Sequence, residues 1–228
     1  MMKNSTSGSF RDPSGFIFTV NDTLYRQVNH LYKEEYDLIM SSGLYDHLKK
    51  SKTLVAHQEV SLDLSPDPQI AYKVIKPDPI AFISYPYEWC FSQLKEAAIL
   101  TLAIAKRSLA YGMSLKDASA YNVQFKNGRA IFIDSLSFEK YIEGKPWIAY
   151  RQFCQHFLAP LALMAYRDVK MNQLLRTNID GVPLDIASKL LPLRTRLNFG
   201  LLTHIHLHAK SQQRFADKAL EGPISDAK

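Results

Sequence analysis

Apolar and polar positions alternate in the first part of the chain in a way that predicts β-strands. Residues 15–20 and 23–28 are rich in β-branched and aromatic side chains. The pair Asn21-Asp22 separates them, and such a pair between two β-rich runs is typical of a tight hairpin turn. A β-hairpin is therefore predicted near the N-terminus.

The next stretch changes from a strand period to a helix period. Over residues 29–50 apolar residues recur at helical intervals, and Gly43 predicts a break into two shorter helices. Residues 53–64, 69–76 and 80–84 then predict three more strands, separated by proline-containing turns. The first 85 residues thus indicate a small, mostly antiparallel sheet accompanied by helix.

A long helix is predicted over residues 91–111, because its apolar residues fall on one side, and Gly112 is placed to end it. Residues 122–125 and 130–133 flank an Asn-Gly turn and predict a second hairpin. From Trp147 to about residue 220 the pattern is mainly helical, interrupted by prolines.

These elements predict an α+β fold in two lobes, a β-rich lobe followed by a mainly helical one. The predicted boundaries are a flexible N-terminus over 1–15, an N-lobe over 16–84, a hinge over 85–90, a C-lobe over 91–220 and a tail over 221–228.

Composition limits the function classes. Of 228 residues, 46% are hydrophobic and 22% charged, as in an ordinary globular protein. No apolar run is long enough to span a membrane, and residues 1–8 lack the apolar core of a secretory signal. Cys90 and Cys154 lie far apart without a CxxC pair, so free thiols in a cytoplasmic protein are expected. The net charge of +6 is too dispersed to indicate a nucleic-acid partner.

Three oxygen-bearing side chains have the spacing of a known catalytic loop. Asp117 stands five residues before Asn122, and Asp134 follows twelve residues later, at the end of an apolar run. The long helix ending at a glycine before this loop and the hairpin after it strengthen the pattern. The motif and the order of elements resemble protein-kinase-like phosphotransferases.

This resemblance implies a role for each residue. Asn122 and Asp134 match the magnesium-binding asparagine and aspartate, and Asp117 matches the catalytic aspartate that orients the attacking hydroxyl. ATP and Mg²⁺ are the implied cofactors. Lys116 and Ser135 stand where protein kinases carry arginine and phenylalanine. These departures argue against an ordinary protein kinase and favour a small-molecule or glycan acceptor.

The resemblance also requires a cation and an acid that hold the nucleotide phosphates. Arg26, at the end of the first hairpin, and Glu35, on the next helix, are the favoured pair, with arginine in place of the usual lysine. Lys73 is an alternative, although it follows the helix and is out of order. Ser14 and Gly15 are candidates for a phosphate-covering turn, while a complete glycine-rich loop is absent.

Two other groups remain candidates. Tyr87 and Glu88, in the predicted hinge, are assigned to nucleotide binding, with core packing as the alternative for the tyrosine. His204, His206 and His208 suggest a metal site, but no nearby carboxylate or cysteine completes a ligand set, which favours a structural role.

A second resemblance rests on three segments: 84–89, 115–125 and 132–139. It covers most of residues 10–210 and is to the N-terminal region of bacterial proteins labelled SAM-dependent methyltransferases or nodulation-type proteins. No glycine-rich turn of the kind that binds such a cofactor is found here. The sequence therefore predicts a phosphotransferase, or alternatively an inactive pseudokinase-like module associated with a SAM-dependent methyltransferase.

Overall fold

The structure, a computed structural model, describes the backbone of residues 3–5 and the whole of residues 12–212. It divides into two compact units. Unit 1 consists of Met1–Ser84 and Ile99–Ala149, and unit 2 of Tyr85–Ala98 and Tyr150–Lys228. One long helix contributes residues 91–98 to unit 2 and 99–109 to unit 1.

Unit 1 is built on a five-stranded antiparallel sheet whose strand order is β1-β2-β3-β5-β4. The strands are β1 Lys3–Ser5, β2 Gly15–Val20, β3 Thr23–Asn29, β4 His57–Val60 and β5 Ala71–Pro77. The predicted hairpin is confirmed as β2 and β3. Its turn residues, Asn21 and Asp22, both have positive φ (48° and 60°), the conformation that asparagine and aspartate tolerate best.

Two helices follow β3, namely α1 Lys33–Ser41 and α2 Leu44–Lys50. The predicted break is confirmed at Gly43, whose φ of +83° a residue with a Cβ rarely adopts. Tyr32 and Tyr36 bury their rings against Leu136 and the sheet residue Ile75. This apolar cluster joins the sheet and α1 to the segment that carries Asp134.

The remainder of unit 1 begins with the C-terminal part of α3 Phe91–Leu109 and contains two short antiparallel pairs. The pairs are β6 Met113–Leu115 with β9 Phe138–Lys140, and β7 Val123–Lys126 with β8 Arg129–Phe132. The Asn-Gly hairpin turn is confirmed, since Asn127 and Gly128 have φ of 54° and 74°.

Unit 2 is helical in its described part. After the first turns of α3, its helices are α4 Tyr150–Phe153, α5 Ala159–Tyr166, α6 Leu174–Thr177, α7 Leu184–Leu190 and α8 Phe199–Leu201. The unit also contains 3₁₀ turns at Pro86–Glu88, Val169–Gln173 and Leu193–Leu197 and π-helical segments at Cys154–Leu158 and Leu202–Leu207. The α+β class is confirmed by the sheet of unit 1 and these helices. None of the described helices is both long and apolar enough to cross a membrane.

Several predicted strands were too long or wrong. Of the predicted 53–64 strand, His57–Val60 forms a strand of the sheet, and Leu54 forms only an isolated bridge with Phe132. The predicted strand over 80–84 is absent, and Phe82 is 74% exposed. The backbone of Ser84 instead bonds to the side-chain amide of Gln124, whose oxygen accepts from the Ser84 N–H and whose nitrogen donates to the Ser84 carbonyl. A side chain therefore satisfies the groups that a neighbouring strand would have satisfied.

The predicted termini have different outcomes. Lys3–Ser5, within the stretch predicted to be flexible, forms an edge strand against β2, because strand pairing needs only backbone groups and does not require apolar side chains. The predicted tail over 221–228 lies outside the described residues.

Candidate functional site

The register of the second hairpin brings Asn122 and Asp134 to the same place. Val123 pairs with Phe132, and one residue beyond this pair the N–H of Ile133 donates to the carbonyl of Asn122 at 2.8 Å. Asp134 therefore follows directly at the open end of the hairpin. Residues twelve apart in sequence become neighbours because the tight Asn-Gly turn fixes this register.

The pairing of β6 with β9 brings in the loop of Asp117. Leu115 pairs with Phe138, and the next rung is a 2.8 Å bond from the N–H of Lys116 to the carbonyl of Ser137. Asp117 comes immediately after this rung. Its carboxylate accepts from the N–H of Ser119 at 2.9 Å, and the carbonyl of Ser119 accepts from the N–H of Asn122 at 3.1 Å. The loop from Asp117 to Asn122 is thus closed by Ser119.

Ser137 connects the three segments. Its carbonyl holds the Asp117 loop, its hydroxyl accepts from the side-chain nitrogen of Asn122 at 3.3 Å, and the same hydroxyl donates to the carboxylate of Asp134. Ser137 is 1% exposed, so these bonds are shielded from water. The sequence analysis missed this residue, and its position inside the motif that contains Asp134 was the only available signal.

Arg26 completes the Asp134 cluster, which we define as Arg26, Asn122, Asp134 and Ser137. The guanidinium of Arg26 forms a close ion pair with the carboxylate of Asp134, and the Leu136 N–H donates to the same carboxylate oxygen at 2.8 Å. Burial alone raises the pKa of Asp134, but the guanidinium and the hydrogen-bond donors outweigh it and hold that pKa below its usual value. The carboxylate is therefore ionised at neutral pH.

The structure pairs Arg26 with residues other than Glu35, and the assignment of Arg26 and Glu35 to phosphate binding stays a prediction. Within the described residues Arg26 forms ion pairs with Asp134 and, at 3.8 Å, with Asp12, and none with Glu35. Glu35 lies close enough to Tyr32 to contribute to the raised pKa of its hydroxyl, after burial and Asp134. Asp134, which pairs with Arg26 in the structure, is 108 residues away along the chain, and no local pattern in the sequence indicates a pair at that separation.

One nitrogen of Arg26, Nε, is buried and has no hydrogen-bond partner in the part of the chain that the structure describes. Such an unpaired buried donor is uncommon and requires an explanation. Lys73, the alternative cation, pairs with Glu59 at 2.6 Å, and both side chains are partly exposed.

The candidate phosphate-covering turn lies beside a second cation. The hydroxyl of Ser14 accepts from the ammonium of Lys116 at 3.1 Å, and this ammonium lies 4.6 Å from the ring centre of Tyr32. Gly15 is required for packing, because a Cβ there would come within 2.1 Å of the Gln27 carbonyl. The turn and the loop of Asp117 are thus connected through Lys116.

Tyr87 and Glu88 lie in unit 2, where the carbonyl of Tyr87 and the carboxylate of Glu88 have partners. The carbonyl of Tyr87 accepts from Asn172 at 2.9 Å and from Gln173 at 2.6 Å. The carboxylate of Glu88 accepts from the N–H of Tyr85 at 2.8 Å, which caps the 3₁₀ turn. Their assignment to nucleotide binding stays a prediction.

The three histidines form hydrogen bonds with side chains of unit 2. His206 bonds to Ser188 at 2.8 Å and to Thr195 at 2.9 Å, and His204 bonds to the hydroxyl of Tyr150. His208 stacks on the ring of Tyr150 and bonds to Gln212. No group of three or more acidic, histidine or cysteine side chains suited to a metal occurs in the described ranges. A structural role accounts for these contacts.

Comparison with known proteins gives one informative relative. No protein-family model matches the chain. The chain is 38% identical over 208 residues to the nodulation protein NoeA of Rhizobium meliloti (strain 1021), a match that covers 90% of this chain and 43% of that protein. The chain thus spans less than half the length of this relative. The predicted similarity to a bacterial nodulation-type protein is confirmed by this match.

Proposed function

We propose that this protein is a kinase-like phosphotransferase that binds a magnesium nucleotide at the Asp134 cluster and phosphorylates a hydroxyl of a small molecule or glycan. The observation that carries the proposal is the meeting of three segments at Ser137, which brings Asn122 and Asp134 together beside the loop of Asp117. Arg26 lies on the third strand of the sheet, where protein kinases carry their phosphate-binding lysine.

The donor set fits magnesium in a nucleotide complex. Mg²⁺ is commonly held by one or two protein oxygens together with substrate phosphates. Asn122 donates to Ser137 through its nitrogen, and its amide oxygen has no donor within the described residues, while Asp134 is kept ionised. The bound ion would neutralise charge on the nucleotide phosphates. In this site Asn122 and Asp134 would hold it.

The remaining residues supply orientation and proton transfer. The unpaired Nε of Arg26 is a donor for a phosphate oxygen. Asp117 uses one carboxylate oxygen to accept from the N–H of Ser119, and its other oxygen would accept the proton of an acceptor hydroxyl. Its loop is fixed by backbone bonds, so the carboxylate is oriented before substrate binds.

Calorimetric titration with ATP, with and without Mg²⁺, tests the proposal. We expect magnesium-dependent binding by the wild type and at least a roughly tenfold loss in Asp134→Asn, which keeps the shape of the side chain but removes its charge. Ser188→Ala, in unit 2, is the control and should bind as the wild type does. Absence of binding by a folded wild-type protein would overturn the proposal.

One observation favours a second candidate, the inactive pseudokinase-like module associated with a methyltransferase. The guanidinium of Arg26 already occupies the carboxylate that magnesium would need. Under this alternative ATP either binds without a need for Mg²⁺ or does not turn over. ATP turnover by the wild type that is lost in Asp117→Asn decides for the phosphotransferase, and equal background rates in both decide for the inactive module.

A further inference from the structure

A groove in unit 1 has no part in the proposed phosphotransfer. It has a volume of about 710 Å³ and is lined on one side by Leu102, Ala105 and Leu109 of α3. These residues recur every three or four positions and so share one face of the helix. The volume lies within the range of about 300–1,000 Å³ that is usual for small-molecule sites.

The opposite wall is the segment that follows β9. The N–H of Tyr141 donates to the carbonyl of Gly112 at 3.0 Å, and the indole N–H of Trp147 donates to the carbonyl of Leu115 at 2.6 Å. These bonds fix the wall to the loop that ends α3 and to β6. Ile142 and Ile148, which also line the groove, are 50% and 67% exposed. These large apolar side chains are open to solvent, and a ligand bound in the groove would cover them.

The charges around the groove are predominantly positive. Lys106, Lys140 and Lys145 line it together with one acid, Glu139. Within the described ranges none of the three ammonium groups takes part in an ion pair. The groove therefore combines an apolar wall with cations that lack a counter-charge.

We propose that this groove binds a single-chain anionic amphiphile, an alkyl carboxylate, with the chain against α3 and Trp147 and the carboxylate among the lysines. Burial of the alkyl chain against the apolar walls removes methylene groups from water and so contributes free energy of binding. The positive charges of the lysines attract the negatively charged head group. This site is independent of the proposed phosphotransfer, because it shares no residue with the Asp134 cluster.

Tryptophan fluorescence provides a direct test. The chain has two tryptophans, of which Trp147 lines the groove and Trp89, in unit 2, is 1% exposed. Terminally brominated dodecanoate, titrated below its micelle concentration, should quench Trp147 saturably, and Trp147→Phe should abolish the quenching. Decanoate should compete roughly tenfold more weakly than dodecanoate, because two methylene groups fewer are buried.

Charge variants test the head-group contact. The triple variant Lys106→Gln, Lys140→Gln, Lys145→Gln should weaken dodecanoate binding at least roughly tenfold. Binding of neutral dodecyl maltoside should change little in that variant and should be lost in Ile142→Ser. The matched controls are Lys50→Gln and Leu31→Ser, which alter an exposed lysine and an exposed leucine elsewhere in unit 1.

Three results would overturn the proposal. They are the absence of saturable quenching in the folded wild type, equal dodecanoate affinity in the triple variant, and tighter binding of an acidic amphipathic peptide that displaces dodecanoate. The last result would assign the groove to a protein partner instead.

Discussion

The Asp134 cluster of unit 1 and the histidines of unit 2 both contain polar motifs that stand out in the sequence, but their hydrogen-bond and charge partners in the structure differ. In the Asp134 cluster, charged and polar groups from distant segments meet, and a buried Arg26 nitrogen has no partner in the described chain. In the histidine cluster, which we define as His204, His206 and His208, His206 uses both ring nitrogens on the hydroxyls of Ser188 and Thr195. The contrast is limited to His206, because the buried Nδ1 of His208 has no hydrogen-bond partner among the described residues either.

The difference teaches how a candidate site is told apart from structural polar packing. A group whose hydrogen-bonding capacity is already used has little left for a ligand. A buried charge pair with an unused donor keeps that capacity, and burial strengthens the interaction with any ligand that reaches it. The spacing of residues in a motif does not separate the two cases, because it carries no information about which groups those residues bond to in the folded chain.

The largest effect is expected from Asp134→Ala. It leaves the guanidinium of Arg26, a residue whose side chain is only 12% exposed, without its main counter-charge. The free energy of unfolding should fall by about 3–5 kcal/mol, as measured by urea denaturation. The control is Asp78→Ala, which breaks the exposed pair with Lys126 and should cost less than about 1 kcal/mol. Equal losses in the two variants would contradict the buried ion pair.

His206→Ala should have the next largest effect on stability and none on nucleotide binding. It removes a side chain that is 8% exposed, leaving the hydroxyl of Ser188 without that partner and the hydroxyl of Thr195 with its bond to the carbonyl of Pro192. We expect a loss of about 1–3 kcal/mol in the free energy of unfolding. Thermal unfolding with added Zn²⁺ should show no stabilisation that depends on this residue. A zinc-dependent rise in the melting temperature, absent in the variant, would make the cluster a metal site after all.

Ser137→Ala separates stability from binding. It removes a neutral hydroxyl, so the free energy of unfolding should fall by only about 0.5–1.5 kcal/mol. Affinity for Mg-ATP should fall more, because Asn122 and Asp134 lose the group that connects them. Calorimetry and urea denaturation on the same samples measure both losses. A binding loss no larger than the stability loss would remove Ser137 from the site.

The smallest effect is on the pH dependence of stability. The pKa of His206 is lowered below its ordinary value of 6.5, mainly by burial and to a smaller extent by the positive charge of Arg196. The unfolded chain therefore takes up the proton at a higher pH than the folded one. The stability that this residue contributes above pH 6.5 should decline as pH falls from 6.5 towards the lowered pKa. Urea denaturation at a series of pH values should give a flatter profile for His206→Gln than for the wild type.

Local signals in the sequence predicted the elements well where a turn residue determined the backbone. Asn21, Gly43 and Gly128 are such positions, and all have positive φ. The strand predicted at 80–84 failed because its apolar residues resembled a strand while its backbone had no strand to pair with. The backbone N–H and carbonyl of Ser84 bond instead to the side chain of Gln124, which is 40 residues away in sequence.

The sequence by itself determined the α+β class, the two hairpins and the spacing that places Asn122 and Asp134 at one end of a hairpin, because each depends on short-range backbone geometry. Only the tertiary structure decided that Arg26 pairs with Asp134 rather than with Glu35, and that Ser137 links the site. Those contacts join segments whose approach depends on packing of the whole unit, and neither the period nor the spacing of residues encodes that packing directly.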